Sequence, residues 1–191
     1  MEGARIGPNA ILQTLAVLDR EEEGASARVM AAAGVAVPPP TSGMLPEADC
    51  AAVHRALRAT LPDRAAALLR LSGLATGDYI LRHRIPPVAQ RLLRLLPVRL
   101  AVPILARAVA RHAWTFAGSG AFRVVSTQPL VFALAANPMI AGEAAVAPIC
   151  HWHAAVFERL FSRLIWPGAQ VVEECCAATG AAECRFRVVP G

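Results

Sequence analysis

Apolar residues return every three or four positions through most of the first two thirds of the chain. Ile11, Leu12, Leu15 and Leu18 follow Gly7-Pro8-Asn9 and predict a first helix from roughly Pro8 to Arg20, ended by the acidic run Glu21-Glu22-Glu23. A shorter helix from about Ala25 to Ala33 stops at Gly34. The stretch Val37 to Gly43 holds three prolines, which remove donors and fix φ, so it reads as a surface connection. From Pro46 the helical pattern resumes, with Glu47 and Asp49 in the first turn and Val53, Leu57 and Leu61 on one face. Pro62-Asp63 opens another helix, carried by Leu68, Leu69, Leu71 and Leu74 and continuing towards Leu81 despite Gly73 and Gly77. Ile85-Pro86-Pro87 breaks the run, and two helices follow, Val88 to Leu95 and Val98 to His112.

After Trp114 the texture changes. Phe116 to Phe122 is too glycine-rich for a helix, Phe122 to Ser126 has the β-branched content of a strand, and Pro129 to Ala135 predicts a second, apolar strand. Gly142 to Ile165 predicts a long helix kinked at Pro148. Ala169 to Ala177 and Glu183 to Val189 predict a hairpin whose turn contains Thr179-Gly180. Helices, then strands, then a helix and a second strand pair predict an α+β fold: several helices packed on an antiparallel sheet of about four strands. The expected organisation is one domain over 1–191, mainly helical over 1–113, with a strand-helix-hairpin module over 114–191.

Composition refines this picture in two places. Hydrophobic residues make up 55% of the chain, yet Arg, His, Pro or Asn interrupts every apolar run before the ~18 residues a spanning helix needs. No transmembrane segment is expected, and the first residues lack the basic start and apolar run of a secretory signal, so a cytoplasmic location is expected. All 19 basic residues are arginine. Arg82, His83, Arg84, Arg91, Arg94, Arg99, Arg107 and Arg111 crowd the middle helices, as a solvated cationic face, a pocket rim or a membrane-contact surface. Guanidinium groups favour carboxylates, phosphates and flat π systems, which points to an acidic, flat small molecule rather than to nucleic acid.

Four of the five cysteines lie in the last quarter. Cys150, Glu173, Cys176 and Cys184 would supply three thiolates and a carboxylate to a zinc ion, a closed set that implies a structural role. The same cysteines could equally be small core residues. Cys175 alternates with Cys176 along a strand and should face away, and Cys50 reads as core. His151 and His153 flank Cys150 but diverge by about 200° on a helix, so all three cannot face one ion. A Cys-His nucleophile is a further alternative, and Tyr79 and His112 are proton donors or core residues. Gly118-Ser119-Gly120 lacks the ending of a P-loop, and neither a dinucleotide fingerprint nor a C-x-x-C pair occurs, so no nucleotide cofactor is expected.

The run Cys150-His151-Trp152-His153, then Glu173, Cys176, Gly180 and Cys184 before Arg185-Phe186-Arg187-Val188, resembles the vinyl-reductase small-molecule-binding domain. That domain is shared by bacteriochlorophyll-synthesis proteins and by the sensor modules of phenol- and toluene-responsive activators. In those sensors the matching positions bind zinc, which implies structural zinc at Cys150, Glu173, Cys176 and Cys184 here. The fold family includes subunits of the transport protein particle and nitric-oxide-signalling ligand-binding domains. Ala4 to Ile11, Asp78 to Leu81 with Arg84-Ile85-Pro86, and Arg111 to Gly120 look like the stand-alone 4-vinyl reductase family of bacteriochlorophyll synthesis, so the resemblance spans nearly the whole chain. It implies a Mg-porphyrin or protochlorophyllide ligand in an apolar cavity between helices and sheet. Arg84, Arg91 and Arg111 would meet its propionates, and His112, Trp114 and His153 its ring or central magnesium. His151 is a further candidate axial ligand.

Three functions follow from the resemblance: a carrier that presents the tetrapyrrole to pathway enzymes, a vinyl reductase or reductase subunit, and a ligand-sensing adaptor. Contact with the edge of a photosynthetic membrane and a homodimer are both compatible with it.

Overall fold

The helices of the first two thirds begin and end where proline, glycine and charge place them. In the computed structural model, which describes residues 3–191, α1 spans Asn9–Glu21 and buries Ile11, Leu15 and Leu18, and α2 spans Ala25–Ala33. Gly34 closes α2 in the left-handed region at φ 64° and returns its N–H to the last carbonyls. The proline-rich connection leads to α3, Glu47–Thr60, and Pro62 starts α4, Pro62–His83, a 22-residue helix that continues through both glycines. Pro86 and Pro97 precede α5, Pro87–Leu95, and α6, Val98–Arg111. One antiparallel ribbon joins segments far apart in sequence, β1 (Arg5–Ile6) with β2 (Leu45–Pro46). Together with the bond from Gly7 N–H to the Thr115 carbonyl (2.7 Å), it holds the chain start against the single-turn helix α7, Trp114–Ala117.

The sheet is four-stranded and antiparallel, in the order β3 (Ala121–Thr127), β4 (Leu130–Ala135), β6 (Glu183–Val189), β5 (Gln170–Cys175). Strand β4 is central and buried along its length, as an apolar strand covered on both faces must be. Helix α8, His151–Leu164, lies between α4 and the sheet. One side turns to Gly73 and Gly77 of α4, where Trp152, Ala155, Val156 and Arg159 approach the glycine backbone. The other carries Phe157, whose ring lies 5.0 Å from Phe132 on β4 and 5.4 Å from Phe186 on β6. Each fully buried ring contributes roughly 2–3 kcal/mol by removal of apolar surface, so this layer is a main anchor of the fold.

Two expectations are corrected. The helix expected over Gly142 to Ile165 begins only at His151. Gly142 adopts φ 73°, Pro148 removes an N–H, and Ala145 N–H is drawn sideways to the Ala178 carbonyl (2.8 Å), so tertiary bonding outweighs the local helix preference. Trp114–Ala117 forms a helical turn where glycine content argued against one; Gly118, at φ 54°, ends it.

Candidate metal centre

Four elements converge on one point. Cys150 is the residue before α8, held by the irregular segment that precedes it. Glu173 lies on β5, where the ladder with β6 shifts register between Glu173 and Cys175. The bulge turns Cys176, the next residue after the strand, into the interior. Cys184 faces inward on β6 by the same alternation that buries Phe186 and Val188. Between the two thiols the chain turns through Ala177–Thr179 and closes at Gly180, φ 91°, a conformation open chiefly to glycine.

The ligand atoms of Cys150, Glu173, Cys176 and Cys184 all lie within 4.8 Å of one another. The Cys150 sulfur is 3.4 Å from that of Cys184 and 3.8 Å from that of Cys176. Zinc–sulfur bonds of about 2.3 Å in a tetrahedron set sulfurs about 3.8 Å apart, so the spacing suits one small ion. The Glu173 Oε2 accepts from Cys150 N–H (2.8 Å), while its Oε1 is buried with no hydrogen-bond partner. Such an orphan costs about 1–3 kcal/mol, and a cation beside it would remove that cost. The set is borderline-soft and complete, so these residues fit zinc and would hold it without an open position.

Electrostatics sort the four groups. The Cys176 thiol is drawn down to about 4, first because Cys150 donates to it and also through the backbone amides of Ile149 and Ala178. Cys184 is lowered for the same first reason, with help from Ala177 N–H (3.4 Å) and the Asn137 amide. Cys150, donating to both, is pushed up. Burial raises Glu173 to about 9. Four acidic groups in one buried place cannot all ionise unaided. The Asn137 side chain donates towards Cys150 Sγ (3.3 Å), and such N–H···S bonds orient and stabilise thiolates. Behind Asn137, Arg58 of α3 binds Glu143 and the Met139 carbonyl (3.1 Å), which fastens the turn leading to Cys150.

The remaining cysteines and the six ligand candidates are placed differently. Cys175 turns its thiol to the Glu183 carbonyl and stands outside the cluster, and Cys50 is fully buried in α3. Arg84, Arg91, Arg111, His112 and Trp114 are exposed on the α4 terminus, α5 and the end of α6. His112 donates from Nδ1 to the Ala108 carbonyl (2.9 Å). His153 is instead a core residue: it is 2% exposed, its Nε2 donates to the Phe116 carbonyl (3.3 Å), and burial lowers its pKa to about 4. That nitrogen is therefore taken up within the fold, which corrects its reading as a ligand to magnesium. The space between α8 and the sheet, where an apolar cavity was expected, is filled by Phe122, Phe132, Phe157 and Phe186. A cleft of about 440 Å³ opens instead among α4, α5 and α8, lined by Asp78, Leu81, Arg82, Pro87, Gln90, Arg94 and Arg163. Arg82 and Arg94 belong to the basic segment noted in the sequence, whereas Arg163, isolated near the end of α8, carried no signal there.

Over 187 residues the chain is 60% identical to the bacteriochlorophyll synthase 23 kDa chain of Cereibacter sphaeroides, covering 97% of this chain and 91% of that protein. The corresponding chain of Rhodobacter capsulatus is 56% identical over 187 residues, covering 97% and 87%. This chain belongs to the bacteriochlorophyll synthase 23 kDa chain family. Residues 130–190 match the vinyl-4-reductase domain, which contains all four candidate metal ligands of this family member. Among solved structures, the phenol-responsive sensory domain of the transcription activator PoxR superposes with a TM-score of 0.54 at 16% identity, over 76% of this chain and 75% of that one. At that identity the likeness concerns the α+β fold. Membership of the 23 kDa chain family supports a role in bacteriochlorophyll biosynthesis. Among the described residues no helix is long and apolar enough to cross a membrane.

Proposed function

We propose that the chain is a zinc-stabilised tetrapyrrole-binding protein that presents a divinyl Mg-porphyrin or protochlorophyllide to enzymes of bacteriochlorophyll synthesis. The observation that carries this reading is the closure of the metal cluster. Three thiols and a carboxylate within 4.8 Å form a full tetrahedral set, leaving no coordination position for a reactant. When bound, zinc would supply charge neutralisation and a cross-link between α8 and the β5–β6 hairpin. The residues around it would do the rest: Asn137 and Ala177 N–H orient the sulfurs, and Glu173 bridges Cys150 N–H to the ion. Ligand recognition is then a matter for the surface beside the clamp. The α4–α5–α8 cleft offers Arg82, Arg94 and Arg163 to propionates, with Leu81 and Pro87 beneath an apolar ring edge. Kinship with the 23 kDa chains of bacteriochlorophyll synthase supports a tetrapyrrole of that pathway and its enzymes as partners.

Anaerobic titration of the purified protein with divinyl Mg-porphyrin, with and without reduced nicotinamide, tests this. A saturable absorbance shift with one ligand per chain and no loss of the vinyl group is expected. Catalytic turnover would replace the carrier by a reductase, and absence of a shift at micromolar concentration would refute tetrapyrrole binding.

A further inference from the structure

Between Asp78 and Glu143 the sequence contains no acidic residue. This is the part of the chain that carries α5 and α6, and its arginines stand apart from the others. Arg20, Arg28, Arg55, Arg58, Arg64 and Arg70 each pair with a carboxylate, as do four arginines nearer the C-terminus. Among the described residues, Arg91, Arg94, Arg99, Arg107 and Arg111 pair with none. A surface with so many uncompensated cations selects an anionic partner.

The same surface is apolar. In α5 only Leu93 is buried, while Val88, Leu92 and Leu95, spaced i, i+4 and i+7, are 75%, 57% and 84% exposed. At about 100° per residue those three share one face, with Arg91 and Arg94 on its flank and Leu93 directed inward. In α6, Ala101, Val102, Leu105, Ala106 and Val109 face the core. The opposite stripe runs Leu100, Ile104, Arg107, Arg111, all exposed, and Trp114 continues it at 58% exposure. Leucine and isoleucine alternating with unpaired arginine along two short helices is the composition of an element that lies in a bilayer interface. The aliphatic groups enter the acyl boundary, guanidinium groups remain at the lipid phosphates, and Trp suits the headgroup level. A nucleic acid would leave the leucines without a role, and a second copy would bring arginine against arginine.

We propose that the outer face of α5 and α6 is a docking surface for an anionic lipid bilayer. Docking leaves the metal cluster outside the contact, since Cys150, Cys176 and Cys184 are buried under α8 and the sheet. It does not rest on tetrapyrrole binding.

Co-sedimentation of the full chain with vesicles of phosphatidylcholine alone and of phosphatidylcholine with 30% phosphatidylglycerol, a composition chosen here as about one anionic lipid in three, is the test. Binding to the anionic vesicles only, weakened by salt, is expected. Arg91→Gln with Arg107→Gln should lower it about 25-fold, at roughly fivefold per arginine near the surface. Leu92→Gln with Leu95→Gln should abolish most of the remainder. Arg20→Gln with Arg64→Gln, which removes the same charge from paired arginines elsewhere, should leave it within about twofold. All substituted residues are exposed on helices, and far-ultraviolet circular dichroism checks that each variant folds. No binding, equal binding to both vesicle types, or equal loss in the control pair overturns the proposal. So does light scattering that shows a dimer in solution dissolved by the Leu92/Leu95 exchange, since the face would then be covered by a second copy.

Discussion

Alanine normally stabilises a helix relative to glycine by about 1 kcal/mol. At Gly73 the sign should reverse. A methyl group there would fall on the Trp152 carbonyl oxygen and 2.7 Å from the Ala155 Cβ, 3.1 Å from the Trp152 carbonyl carbon. Carbon atoms rest at about 3.5–4.0 Å, so α4 and α8 must part by about 1 Å, and the obstructing atoms are backbone and Cβ with no rotamer to escape into. Overpacking of this kind costs about 1–3 kcal/mol; taken at its upper end and offset by the helix preference, Gly73→Ala should destabilise by about 2 kcal/mol. With a urea dependence of about 2 kcal/mol per molar, the unfolding midpoint falls by about 1 M. Gly77→Ala meets the Arg159 Cβ at 2.5 Å and Cγ at 2.7 Å, where a flexible side chain can give way in part, and should cost less. Urea titration followed by tryptophan fluorescence reads both. Because Trp152 sits two residues beyond Cys150, Gly73→Ala should also loosen metal retention. A variant as stable as the parent or more so would mean that α8 does not lie against α4 as described.

Cys176→Ser and Cys184→Ser should each lose bound metal and stability together, whereas Cys175→Ser should keep both, measured by metal content and thermal unfolding. Asn137→Ala, which removes the amide donor to Cys150, should weaken zinc affinity about 10- to 100-fold in chelator competition without unfolding the chain. Acid should destabilise the fold through two buried histidines. Burial lowers His54 to about 3, and it lowers His153 to about 4, from an ordinary 6.5. The unfolded chain takes up protons below about 6.5 while the native rings stay neutral, so stability falls as pH drops through 6.5 and levels off near the native values. Each ring contributes about 2 kcal/mol of loss between pH 7.5 and 5. Urea midpoints of His54→Phe and the parent at the two pH values check the share of His54; an unchanged pH dependence would contradict it.

Much of the helical part was legible because each helix carries an apolar stripe and is punctuated by proline or glycine: Pro8, Gly34, Pro62, Pro87 and Pro97 all fall at observed boundaries. Strand alternation likewise separated Cys175 from Cys176, although the bulge at Glu173 that makes Cys176 turn inward has no local signature. What could not be read depends on partners distant in sequence. The segment 142–150 holds good helix formers, yet Ala145 bonds to Ala178 and Arg58 grips Glu143. Arg5 and Ile6 of β1 find their partners only at Pro46 and Leu45, beyond two intervening helices. Expecting a cavity between helices and sheet failed because phenylalanines from β3, β4, α8 and β6 are large enough to fill the interlayer space, a sum of volumes that periodicity does not report. Open space lies instead where α4, α5 and α8 end.

The account turns on Cys150, Glu173, Cys176 and Cys184 forming a closed centre. X-ray absorption at the zinc edge on protein purified without added metal addresses this directly. It should give about one zinc per chain, with three sulfurs at about 2.3 Å and one oxygen at about 2.0–2.2 Å. Protein that folds equally well without zinc, or a zinc shell with fewer sulfurs and an exchangeable water, would contradict it.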